Sequence, residues 1–126
     1  MQKSVLIVED EALIAMGLSA QIEDMGLKVC GTTDTADGAI AQAKAHRPAI
    51  ILMDMRLRGD KDGVDAALAI HDTVGSRIIF ITGSREQATI DRIGLDHPFA
   101  LLFKPISDRQ LQATVSNALE AAMDQT

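Results

Sequence analysis

Short aliphatic runs alternate along the chain with longer stretches of helical periodicity, and this alternation predicts β-α units wound into a parallel sheet. The strands fall at residues 5–8, 28–32, 50–53, 78–81 and 100–103. Most of them are apolar throughout rather than alternating, as expected of strands covered by helices on both faces. Between the strands, Ile14, Leu18, Ile22 and Met25 recur at helical spacing and mark the core face of a first helix ending at Gly26. A second helix over residues 35–46 has Ile40 and small alanines on its apolar face and stops before Pro48. Val64, Ala67, Leu68 and His71 mark the third helix, and Leu111, Val115, Leu119 and Ala122 the last, with Ser107 and Gln110 as its capping box. The segment 84–94 is the weakest helix, since Thr89 and Ile90 are β-branched and Gly94 and Pro98 follow closely, so a short or mobile element is expected there.

Length adds one constraint: 126 residues suit a single domain spanning 1–126, with a real core and no space for an output domain. The formal net charge is −6 and no basic run occurs, which argues against a nucleic-acid partner. No apolar run is long enough to cross a bilayer and no signal-peptide pattern opens the chain, so a cytoplasmic protein without membrane association is expected. Cys30 is the sole cysteine and reads as a small buried hydrophobe in a reducing compartment.

Candidate chemistry lies where the strands end. In open parallel sheets, ligands bind beyond the carboxyl ends of the strands, and right-handed crossovers bring all those ends to one edge. Glu9 and Asp10 follow the first strand, Asp54 ends the third, Thr82 and Gly83 end the fourth, and Lys104 ends the fifth. Clustered carboxylates repel unless a cation neutralises them, and an all-oxygen donor set selects a hard ion, here Mg²⁺. That ion takes few protein ligands and keeps room for phosphate oxygens. Asp54 can then act as a carboxylate nucleophile towards phosphorus, with Lys104 holding the charge of the transferring group. Thr82 offers it a hydroxyl, and Gly83 a backbone N–H with an open approach. His46, His71 and His97 show no metal-ligand spacing and are assigned no chemistry.

An acidic pair, an aspartate, a hydroxyl residue and Lys-Pro in this order resemble the receiver domains of bacterial two-component response regulators, over the whole chain. The resemblance implies a three-layer, doubly wound, five-stranded parallel sheet of flavodoxin-like (βα)5 type, strand order 2-1-3-4-5. It implies that Asp54 is the phosphorylation site, that Glu9, Asp10, Asp54 and the Arg56 backbone carbonyl bind Mg²⁺, and that Thr82, Gly83 and Lys104 serve phosphoryl binding and switching. It further implies a cis peptide before Pro105. A sensor histidine kinase or phosphotransfer protein would be the donor, the small-residue face of Ala12, Ala15 and Ser19 would receive it, and the protein would be a monomer or weak dimer. It would catalyse only its own phosphorylation and dephosphorylation, acting by docking to a target or by draining phosphate. The run Phe80-Ile81-Thr82-Gly83 is similar to the Phe-Ala-Thr-Gly variant branch, with Ile81 in place of the alanine.

Some positions depart from the family pattern. Arg58 stands where a proline is common, in a loop one residue longer than usual before Gly63. Arg56 and Ser84 hold positions that tune phosphoryl lifetime. Leu101 replaces the aromatic residue that swings inward on activation, so the signal is expected to run through Thr82 and the segment 84–94. Three other readings carry less. A haloacid-dehalogenase-like phosphatase needs an acid two residues after the nucleophile, where Arg56 stands. A flavodoxin-type phosphate loop is incompatible with Glu9-Asp10-Glu11. A receiver-like interaction domain that is never phosphorylated would not need all five site residues.

Overall fold

The computed structural model describes the backbone of residues 2–123 and the side chains of 3–121, so the Ala122 side chain lies outside the described residues. The strands are β1 (Gln2–Val8), β2 (Lys28–Thr33), β3 (Pro48–Asp54), β4 (Arg77–Thr82) and β5 (Ala100–Phe103). The helices between and after them are α1 (Ala12–Asp24), α2 (Ala36–His46), α3 (Gly63–Thr73), α4 (Gln87–Gly94) and α5 (Asp108–Met123). All strand pairings are parallel, in the order β2-β1-β3-β4-β5. The architecture is thus the parallel β-α sheet that the alternation of elements predicts, in the doubly wound five-stranded order that the family resemblance implies.

Side-chain alternation explains why the central strands are apolar throughout. Val5, Ile7, Ile50, Leu52, Ile79 and Ile81 enter one core with Leu18 and Ile22 of α1 and Leu111 and Val115 of α5. Their neighbours Leu6, Val8, Ile51, Met53, Ile78 and Phe80 enter a second core with Ala39 and Ala43 of α2, Val64, Ala67 and Ile70 of α3 and Ile93 of α4. Each valine, leucine, isoleucine, methionine or phenylalanine side chain among them, withdrawn from water, contributes about 1.5–3 kcal/mol. Two cores on opposite faces sandwich the sheet between its helices, and the all-parallel pairing puts the carboxyl ends of the strands on one edge.

The helix boundaries follow from local chemistry. At the end of α1 the Gly26 N–H donates to the Glu23 carbonyl and the Leu27 N–H to that of Ile22, with Gly26 at φ +81°. This six-residue closure needs a left-handed residue, and glycine takes that conformation without strain. Thr35 caps α2 by accepting the Gly38 N–H at 3.0 Å. Pro48 occupies the first position of β3, where the missing donor is tolerated. Ser107 Oγ accepts the Gln110 N–H at 3.1 Å at the start of α5.

One sequence-based stripe is corrected. On α3, Leu68 and His71 lie at the surface, and the core face is made of Val64, Ala66, Ala67 and Ile70. Alanine at 66 and 67 permits close helix packing, which the larger Leu68 would not. Cys30 is half-buried rather than buried, with its thiol directed at the Val5 carbonyl 3.5 Å away. The segment 84–94 forms a helix of only eight residues, α4.

Candidate functional site

Glu9 leaves β1 directly after Val8 and is almost fully buried, because its backbone is still tied to the sheet through its N–H and the Thr33 carbonyl, 2.9 Å apart. Asp54 is the last residue of β3 and also buried, and Asp10 beside them is half-exposed. Carboxylate oxygens of Glu9, Asp10 and Asp54 lie within 4.8 Å of one another. Lys104, following β5, extends into this cluster. Its Nζ is 2.9 Å from Glu9 Oε1 and 3.4 Å from Asp54 Oδ2. The Lys104–Pro105 peptide is cis.

One ammonium does not balance three carboxylates. Burial, and then the hydrogen bond and charge of Glu9, push the Asp54 carboxyl up to about 7. Burial also pushes Glu9 up, but hydrogen bonds from Asp54, Lys104 and Asp10 outweigh it and leave Glu9 below its ordinary value. Burial pulls the Lys104 ammonium down, whereas its bond to Glu9 and the two negative charges leave it net raised. Glu9 and Asp54 thus resist carrying two full negative charges side by side, and burial and the Glu9 charge make Asp54 the carboxyl that is pushed up. The all-oxygen donor set and its surplus negative charge fit a hard divalent cation.

A crevice of about 780 Å³ opens over this cluster, bordered by Asp10, Asp54, Arg56, Thr82, Ser84 and Lys104. Thr82 ends β4 and is buried, and its Oγ1 accepts the Ser84 N–H at 3.1 Å. Gly83 borders the same crevice. A Cβ built on Gly83 meets no heavy atom within 4 Å, so the fold itself does not require glycine there. Arg56 is exposed at the rim. Leu101 is partly buried and packs away from the crevice, against the core beneath α3 and α4. The structure thus brings Glu9, Asp10, Asp54, Arg56, Thr82, Gly83, Ser84 and Lys104 to one edge of the sheet.

Several residues around the crevice escape sequence reasoning. Gly63 packs so closely on the Asp54 carbonyl that a Cβ there would overlap it. Asp62 and Asp65 form a reciprocal capping box at the start of α3, each accepting the other's N–H at 3.0 Å. Arg92 of α4 then grips both acids: Nε to Asp62 at 2.8 Å, and one terminal nitrogen to Asp62 and Asp65 at 3.0 Å each. Asp62 also borders the crevice, so α4 is fastened to its wall. Among the histidines, His71 Nδ1 lies 2.8 Å from the buried Asp96 carboxylate, in the last turn of α3 and so at the other end of that helix from Gly63.

The comparisons with known proteins agree with this fold. Residues 5–116 match the response regulator receiver domain. The chain is 36% identical over 121 residues to the phyllosphere-induced regulator PhyR of Methylorubrum extorquens, covering 94% of this chain and 44% of that protein. It is 30% identical over 117 residues to the transcriptional regulatory protein PdtaR of Mycobacterium tuberculosis, covering 93% of this chain and 57% of that protein. Among solved structures, the signal receiver domain of a modulated diguanylate cyclase from Desulfovibrio desulfuricans superposes with a TM-score of 0.91 at 35% identity, covering 98% of both chains. The chain belongs to the response regulator receiver family of two-component systems. It spans about half the length of the curated relatives it matches. Among the described residues, no helix is long and apolar enough to cross a membrane.

Proposed function

We propose that this receiver is a phosphorylation switch in which Asp54 accepts a phosphoryl group from a sensor histidine kinase or a phosphotransfer protein. The observation that carries this reading is the placement of a buried nucleophile-type carboxylate, Asp54, against Lys104 and the Glu9–Asp10 pair in one open crevice. In the transfer, an Asp54 oxygen bonds to phosphorus while the bond between phosphorus and the donor nitrogen breaks, and the leaving imidazole keeps the electron pair. Lys104 takes up charge spreading over the transferring oxygens, and the Thr82 hydroxyl and Gly83 N–H bind the phosphoryl group once it is on Asp54. A magnesium ion held by Glu9, Asp10, Asp54 and the Arg56 carbonyl would neutralise the clustered carboxylates and supply electrostatic stabilisation of the phosphoryl oxygens. Arg56 and Ser84, at the rim, set how readily water reaches the acyl phosphate. The signal passes to partner proteins through Thr82, which is bonded to the turn leading into α4.

The test is intact-mass measurement after incubation with magnesium chloride and acetyl phosphate. Wild type gains one phosphoryl group, and Asp54→Asn gains none. An unmodified wild type, or modification surviving in Asp54→Asn, would remove Asp54 from its role.

A further inference from the structure

We propose that Arg85 is a further phosphoryl-binding residue of this crevice, held in reserve on the Phe103 ring until a phosphoryl group is present. The inference rests on the reading of Asp54 as phosphoryl acceptor. Arg85 follows Thr82 by three residues and borders the crevice that contains Asp54 and Lys104. Its guanidinium carbon sits 4.3 Å from the centre of the Phe103 ring. Among the described residues Arg85 makes no ion pair, whereas Arg58, Lys61, Arg92 and Lys104 each hold a carboxylate. Lys104 is already shared between Glu9 and Asp54, so it does not cover all the charge that a phosphoryl dianion would add. A guanidinium is suited to the task because its planar fork matches two phosphoryl oxygens at once.

The stack on Phe103 is a weak hold at an exposed position compared with a charge-assisted hydrogen bond to a phosphoryl oxygen. The turn carrying Arg85 is also tied to the switch hydroxyl. The Ser84 N–H donates to Thr82 Oγ1 at 3.1 Å, and Ser84 Oγ accepts the Glu86 N–H at 3.2 Å. A shift of the Thr82 hydroxyl towards a phosphoryl group therefore pulls on the residue next to Arg85. Arg56 also borders the crevice, but no aromatic ring or carboxylate among the described residues fixes its guanidinium. When Arg85 leaves, Phe103 is uncovered. By strand alternation it shares a face of β5 with Leu101, so an aromatic readout survives two residues from the position where leucine precludes it.

Beryllofluoride, a phosphoryl mimic, tests this in the presence of magnesium chloride, with binding followed by ¹⁹F NMR and titration calorimetry. Arg85→Ala weakens beryllofluoride binding about tenfold and Arg85→Lys by less, whereas Phe103→Leu, which frees the guanidinium, tightens it about two- to threefold. With only three phenylalanines in the chain, the Phe103 ring resonances can be assigned, and they shift on adduct formation in wild type but not in Arg85→Ala. Binding by Arg85→Ala within twofold of wild type overturns the inference while leaving Asp54 in place. Parallel weakening in Arg85→Ala and Phe103→Leu also overturns it, since the stack would then be only a structural contact. No wild-type adduct at all would overturn the phosphoryl-acceptor reading itself, and this one with it.

Discussion

The crevice at the strand ends and the clamp between α3 and α4 are built from the same kinds of side chain, clustered acids facing one base, yet their charges balance differently. In the clamp, burial pushes Asp62 up, but the hydrogen bonds from Arg92 outweigh it and hold the carboxyl below its ordinary value. Each acid there also caps the N-terminus of α3, so every carboxylate oxygen of the clamp has a donor. In the crevice, Lys104 faces three carboxylates at the sheet edge, and Asp54 is pushed up to about 7. The clamp sets two acids against one base where both are partly exposed, whereas the crevice, with three acids to one base, keeps the larger surplus of negative charge in a buried place. Such a surplus is a cost in the isolated domain, and it is what a cation and a transferable phosphoryl group can relieve.

Gly63 joins the two regions, and changing it gives the largest expected effect. It follows the capping residue Asp62 and abuts the Asp54 carbonyl, with Met53 Cγ 3.0 Å from where its Cβ would lie. In an ordinary helix, replacing glycine by alanine stabilises by roughly 0.5–1 kcal/mol. Here Gly63→Ala is expected to destabilise by about 2–3 kcal/mol, since backbone rather than a flexible side chain blocks the new methyl. Urea denaturation reads the sign directly. A more stable Gly63→Ala protein would show that Asp54 and α3 are not in rigid contact.

The second prediction concerns the surplus charge. Asp54 titrates higher in the folded chain than in the unfolded chain, so the folded state binds more protons over the intervening pH range. Its contribution is therefore favourable at low pH and is lost as the pH rises through about 7. Asp54→Asn, measured with a chelator present, should be more stable than wild type by about 1–2 kcal/mol at pH 8, with the two curves converging near pH 4. Equal stability at pH 8 would mean that Lys104 alone balances the cluster.

The contrast also explains what the sequence reveals. Apolar runs closed by Glu9, Asp54, Thr82 and Lys104 mark the sheet and its polar edge without any tertiary information, because each strand carries its own signal. The lining of α3 is less legible: with Ala66, Ala67 and Leu68 in succession, hydrophobicity favours the largest side chain, while packing favours the two smallest. The clamp is invisible. Asp62 and Arg92 stand thirty residues apart in a chain that is 24% charged, and nothing local distinguishes them from solvated surface. The same holds for Arg85 and Phe103. Local periodicity locates a site's edge, but the charges that regulate it meet only after folding.

The smallest effect probes the clamp itself. Arg92 makes three hydrogen bonds to two carboxylates, while Arg58 makes a single contact of 3.1 Å to Asp34. The Arg92 and Asp62 side chains are 37% and 27% exposed, against 71% and 46% for Arg58 and Asp34. Partial exposure screens the clamp, so Arg92→Ala should cost about 1 kcal/mol near neutral pH, and Arg58→Ala less than about 0.5 kcal/mol. Because Asp62 is depressed in the folded state, its stabilisation is present above the unfolded carboxylate range and disappears as the pH falls through its folded value. The penalty for Arg92→Ala should therefore shrink in acid, whereas that for Arg58→Ala stays small throughout. Identical costs for the two variants at neutral pH would reduce the clamp to an ordinary surface pair, and the fastening of α4 to the crevice wall would then rest on Ile93 and the core alone.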